Sequence, residues 1–186
     1  MQEKILSLPI ESMVFSRAVI FTIISVVSFF TSFLLGHPQW LVGTIVNAGL
    51  FLSAIYLPKK YFLPIAIFPS LGVLARGLVF GPFTAFLIYF LPFIWAGNLV
   101  LILLFRFIYS KIFHNFGIAA ITSAIVKFAV LFLTANAYFK FNFAPAVFLQ
   151  LMGLNQLATA LAGGAIGFVI LKFNNLDLIK NFKFKI

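Results

Sequence analysis

Apolar residues run along this chain in long blocks, and polar residues gather in the short breaks between them. A helix needs about 20 apolar residues to cross the hydrocarbon of a bilayer. Six blocks approach or exceed that length, at 18–35, 40–57, 62–80, 83–105, 116–138 and 144–171. The breaks are Gly36-His37-Pro38, Pro58-Lys59-Lys60, Gly81-Pro82, the segment 106–115, the segment 140–142 and the polar tail after Lys172. The pattern predicts an all-α integral membrane protein, one domain over 1–186, built as a bundle of six transmembrane helices. Residues 1–16, with Pro9 and Glu among Ile, read as a short interfacial lead-in.

The breaks also carry direction. With the N-terminus inside, the cytoplasmic segments hold Lys4, Arg17, Lys59, Lys60, Arg106, Lys111, Lys172, Lys180, Lys183 and Lys185, while the outer loops hold only Lys140. Cytoplasmic loops are enriched in Lys and Arg, so this asymmetry predicts N-in and C-in. An odd number of spans would put basic segments on the wrong side.

Composition agrees. The chain is 63% hydrophobic and 9% charged, with a mean hydropathy of +1.17, and a soluble fold could not hide that much apolar surface. The net charge of +10 is spread between apolar blocks, which argues for topology and against a nucleic-acid partner. There is no cysteine, which removes disulfides, thiolate metal sites and a Cys nucleophile. The first block is too long for a secretory signal core. Phe33-Leu34-Leu35-Gly36 offers no small-x-small cleavage site, so the block reads as a retained span.

Two cations fall inside predicted spans. Arg76 lies five residues before Gly81, toward the outer leaflet, where it can snorkel to headgroups or face a cavity. Lys127 sits near the middle of the fifth span. A charge there costs at least about 2.5 to 3.5 kcal/mol and needs a partner or a water-filled cavity. The three acids, Glu3, Glu11 and Asp177, lie outside the spans. Unmatched cations in hydrocarbon invite an anionic ligand.

Amides lean the same way. Asn47, Asn136, Gln150, Asn155 and Gln156 map to the outer half of the bundle, with Asn98 the exception. With Arg76 and Lys127 they are candidates to line one cavity open to the outside; for any single amide a bond to a neighbouring helix is the default, and the clustering on one side is what favours the cavity. Trp95, beside Pro92, Gly97 and Asn98, is the aromatic residue singled out as facing either a ligand or the core. Trp40 and Tyr61 fall at predicted interfaces. Gly163-x-x-x-Gly167 in the sixth span allows close helix approach and reads as packing within the bundle, while Ala119, Ala120, Ala124, Ser28 and Ser32 suit either internal packing or a partner subunit.

Enzyme chemistry finds no foothold. His37 and His114 fall in loops on opposite sides, no span holds an acid, and no nucleophile elbow or phosphate-binding loop is present. No metal or other cofactor is expected. The missing span carboxylate also leaves ion-coupled transport without its usual group, so energy for any transport would come from another subunit.

Arg76-Gly77-Leu78-Val79-Phe80-Gly81-Pro82 entering the fourth span, and Gly153-Leu154-Asn155-Gln156-Leu157-Ala158-Thr159-Ala160 with Gly163-Gly164 in the last, resemble patterns in the S components of energy-coupling factor (ECF) vitamin transporters. The resemblance extends to size and layout from about Arg17 to Lys172. It implies a multi-pass protein of a prokaryotic cell membrane that binds a vitamin or similar micronutrient near the external ends of the last three spans. It also implies delivery through a partner transmembrane subunit with two cytoplasmic ATPases. Many members dock that partner through Ala-x-x-x-Ala on the first helix. Here the first span has Ala18 and a ladder of Ser25, Ser28 and Ser32 instead.

The leading expectation is therefore a non-enzymatic binding subunit for a small anionic or zwitterionic solute, using Arg76, Lys127, Asn47, Trp95, Asn136, Gln150, Asn155 and Gln156. The alternatives are a ligand-free structural or assembly protein, in which the amides are helix glue, and a lipid-handling membrane enzyme.

Overall fold

The computed structural model describes residues 10–35, 38–80 and 84–183, with side chains described for 17–35, 38–77 and 86–173. The 1–9 part of the lead-in, the Gly36-His37 break, the Gly81-Pro82 turn with Phe83, Lys185, and the side chains of Glu11, Asp177, Lys180 and Lys183 lie outside these limits. The described residues are mostly helical, with short non-helical connections and no strand among them: α1 (Ile10–Phe30), α2 (Gln39–Tyr56), α3 (Phe62–Phe80), α4 (Thr84–Phe107), α5 (Phe116–Lys140), short α6 (Val147–Leu151) and α7 (Leu154–Lys183). Five helices are long and apolar enough to cross a membrane, and α3, at 19 residues, is the remaining long one.

Local chemistry sets the helix ends. Leu57 precedes Pro58, whose ring drives its neighbour out of the helical region, and α2 stops there with Leu57 at ψ 146°. The Asn115 side chain accepts from the Ile118 N–H at 3.1 Å and starts α5. Widened π-helical turns, Thr31–Leu35 and Ile108–Ile112, finish α1 and α4.

Two blocks differ from their predicted outlines. The first helix begins no later than Ile10, so part of the expected lead-in is helical. The block at 144–171 is broken: α6 ends at Leu151, Gly153 turns the chain, and α7 continues to Lys183. A Cβ at Gly153 would lie 2.2 Å from the Leu149 carbonyl oxygen and 3.1 Å from the Phe132 ring, so the break needs a residue with no side chain. The tail stays helical past the apolar stretch, to Lys183.

Paired contacts give the helix directions. Gly43 meets Thr159, Asn47 meets Gly163 and Phe51 meets Gly167, rising together, so α2 and α7 are parallel. Gly72 meets Phe29 and Ser32 while Arg76 reaches Phe33 and Leu34; with Phe21 against Phe68 this makes α1 and α3 parallel. Antiparallel pairs follow from Trp95 with Ser70 and Asn98 with Ala66, from Phe105 with Phe116 and Phe90 with Tyr138, and from Phe116 with Phe168 and Ala120 with Gly164. Thus α1, α3 and α5 run one way and α2, α4 and α7 the other. Ile10 and Lys183 lie at the same end of the bundle, together with Arg17, Lys59, Lys60, Arg106, Lys111 and Lys172.

The core has two apolar clusters. The one nearer this basic end is built on Leu50, Phe51, Phe62, Leu101, Phe105 and Phe116. The other gathers Phe90, Leu131, Ala135, Ala144, Phe148 and Met152 beneath the broken span, with Phe90 and Phe148 stacked at 4.8 Å. Along α5, Lys127 lies between them. Ser25, Ser28 and Ser32 of α1 are all buried in the bundle, so the serine ladder is an inward face.

Candidate functional site

Lys127 is 2% exposed, yet its Nζ is bonded. It donates to Asn47 Oδ1 at 2.6 Å. The other half of that amide donates to the Gly43 carbonyl at 2.8 Å and to Thr159 Oγ1 at 3.3 Å. The Thr159 hydroxyl in turn donates to the Gln156 carbonyl at 3.2 Å. One chain of bonds therefore ties α5 to α2 and α7 in the middle of the core.

Glycines make this possible. A Cβ at Gly43 would stand 2.9 Å from three Thr159 side-chain atoms, and one at Gly163 would stand 2.7 Å from the Ala48 nitrogen and 2.8 Å from the Thr44 oxygen. Without side chains at these points the α2 and α7 backbones come close enough for an amide on one to reach a hydroxyl on the other.

The network is not saturated. A lysine side chain offers three N–H bonds once protonated. Among the described residues only Asn47 Oδ1, a neutral acceptor, lies within hydrogen-bond distance of Nζ, and every acid of the chain falls outside the described side chains. A buried donor with spare capacity is a costly thing to keep in hydrocarbon.

The other candidates scatter. Asn155 donates to Gln39 Oε1 at 3.1 Å, and Gln39 Nε2 donates to the Leu151 carbonyl at 3.3 Å, which places a second polar patch on the same α2–α7 seam at the break in the last span. Gln156 contributes its carbonyl to Thr159, Gln150 is exposed, and Asn136 bonds the Phe132 carbonyl of its own helix at 2.8 Å. Arg76 reaches the end of α1, donating to the Leu34 carbonyl at 3.0 Å and the Phe33 carbonyl at 3.4 Å. Trp95 donates from Nε1 to Ser70 Oγ at 2.8 Å, and Asn98, the inner amide, donates to the Ala66 carbonyl at 2.9 Å. Lys127 and Asn47 are thus joined directly, Asn155 and Gln156 lie on the same seam, and Arg76 and Trp95 belong to the contacts of α3.

Gln39, Thr159 and Ser70 were not singled out from the sequence. Thr159 had a signal: it stands four residues before Gly163, which stands four before Gly167, so all three share one helix face. Elsewhere a groove of about 700 Å³ opens between α5 and α7 at the basic end, and none of the eight candidates lines it. No family model, curated protein or solved structure matches the chain.

Proposed function

We propose that this chain is a six-span membrane subunit, N-in and C-in, that captures a small anionic or zwitterionic solute against Lys127. In this reading it serves an ECF-type transporter of a prokaryotic cell membrane as its S component, and the solute is a vitamin or similar micronutrient. The observation that carries the reading is the buried Lys127 amine with a single neutral acceptor, Asn47 Oδ1. A carboxylate or phosphate would use the remaining donors and lower the energy of the buried amine.

Three features support the rest. The helix directions, with both described ends among the basic residues, favour an even number of spans and cytoplasmic termini. The last block is interrupted one to two turns outward of Lys127, where Phe148 and Met152 of the α6 region lie against Leu131 and Ala135. Discontinuous spans are where membrane transporters hold solutes, and here the short α6 is the element whose displacement would open a path to Lys127. Finally, Glu3, Glu11 and Asp177, the acids of the chain, lie outside the apolar blocks, which fits a subunit that relies on a partner membrane protein and its ATPases.

Native mass spectrometry of protein extracted in mild detergent tests this. The expected spectrum shows a small-molecule adduct that survives Lys183→Ala and disappears in Lys127→Met, with the Met variant as stable as the parent. The helix-to-helix bonding of Trp95 and Asn98 favours a second reading, a ligand-free assembly protein. An adduct-free parent that retains only another membrane protein would decide for it.

A further inference from the structure

The groove at the basic end of the bundle is unrelated to Lys127 and has its own chemistry. One end is polar, formed by His114, Asn115 and Lys172. From there it follows α5 past Gly117 to Ile121 and α7 back to Leu161, a run of about 16 Å at 1.5 Å per residue. Its volume, about 700 Å³, falls within the roughly 300 to 1,000 Å³ of small-molecule sites. At Gly164 the α7 backbone lies close on the core; a Cβ there would touch Phe51 at 3.3 Å and Ala120 at 3.4 Å. Beneath it the rings of Phe51, Phe105 and Phe116 close the core, with centroids 5.0 Å apart for Phe51–Phe105 and for Phe105–Phe116.

We propose that this groove binds an anionic phospholipid, with an acyl chain laid along Gly117, Ile121, Leu161 and Gly164 and the phosphate held at the Lys172 and His114 end. Charge complementarity selects this occupant. The bundle end that carries the groove also carries Lys59, Lys60, Arg106 and Lys111, which outnumber Glu11 of α1 and Asp177 of α7 at the same end. The phosphate would also face the first turn of α5, where the Ile118 N–H is capped by Asn115, the Phe116 and Gly117 N–H groups have no intrahelical acceptor, and the helix dipole is positive. A groove that is cationic at one end and apolar for the rest of its length matches an amphiphile. A soluble phosphate would leave the apolar length unused. Exposed Ile118, Ile121 and Phe168 flank the groove, so its open side already faces the acyl region. This inference rests on the membrane-spanning fold and is independent of solute capture at Lys127.

The test is native mass spectrometry of the full chain in detergent, titrated in parallel with dioleoyl phosphatidylglycerol and dioleoyl phosphatidylcholine. Retention of the anionic lipid is expected to exceed that of the zwitterionic one by about fivefold, the scale of one basic residue beside an anionic headgroup. Lys172→Gln should bring the two lipids level, and Ala165→Phe, which fills the groove from an exposed position, should weaken both. Lys140→Gln, at the opposite end of the bundle, should leave the preference intact, and excess inorganic phosphate should not displace the lipid. Equal retention of the two lipids by the parent, or a preference that survives Lys172→Gln, would overturn the assignment.

Discussion

Two seams of this bundle use the same kinds of residue to opposite ends. Where α2 meets α7, glycines bring the backbones together, and the Asn47 amide accepts from a lysine that has donors to spare. Where α3 meets α4, the flow reverses: Trp95 and Asn98 donate toward α3, to Ser70 Oγ and the Ala66 carbonyl. Pro69 lies in the same stretch of α3, between the two acceptor residues. Trp95 spends its one N–H on Ser70, whereas the α2–α7 seam ends on a bonded amine with donors to spare.

The comparison breaks most readily at Gly163. A larger side chain there must push backbone atoms, because the nearest contacts at 2.7 and 2.8 Å are the Ala48 nitrogen and Thr44 oxygen. Gly163→Leu is therefore expected to lower stability by about 3 kcal/mol, the upper part of the range for overpacking. Unfolding by denaturing detergent in mixed micelles would measure it. An unchanged midpoint would mean that α2 and α7 are not held at close approach.

Next in size is the asymmetry between the two partners of the central bond. Asn47→Leu removes the one acceptor and leaves the Lys127 amine buried alone, with an expected loss of about 2 kcal/mol. Lys127→Met replaces the amine with an apolar chain of similar length and should change stability by less than about 1 kcal/mol in either direction. The double variant should recover most of what Asn47→Leu lost. Additive effects would show that the two side chains do not depend on each other.

Much of this fold was readable from the pattern of apolar blocks. The long helices follow those blocks, because in lipid a helix must satisfy its own backbone bonds and its length is set by hydrocarbon thickness. The interruption at Gly153 was harder to see, since a glycine in an apolar run is usually tolerated within a helix. The lateral arrangement was not readable at all. Lys127, Asn47 and Asn155 could be singled out as polar residues in apolar spans, but which helix faces which depends on contacts between distant segments, such as Lys127 and Asn47 at 80 residues apart and Asn47 and Thr159 at 112. For that reason Arg76 and Trp95, equally conspicuous in the sequence, turn out to serve the ends and flanks of α3.

The smallest expected effects lie in the α3–α4 seam, and they sharpen the contrast because of what they should leave alone. Trp95→Phe keeps the ring and removes the N–H that reaches Ser70. Hydrogen bonds between membrane helices average about 0.6 kcal/mol, so a shift of that order is expected in the same unfolding titration. Asn98→Leu takes a donor from the Ala66 carbonyl near Pro69 and should cost about 1 kcal/mol. Neither variant touches the α2–α7 seam, so both should keep whatever small molecule the parent carries in native mass spectrometry. If either loses it while the Lys127→Met variant does not, the solute is held by α3 and α4, and the roles assigned to the two seams must be exchanged.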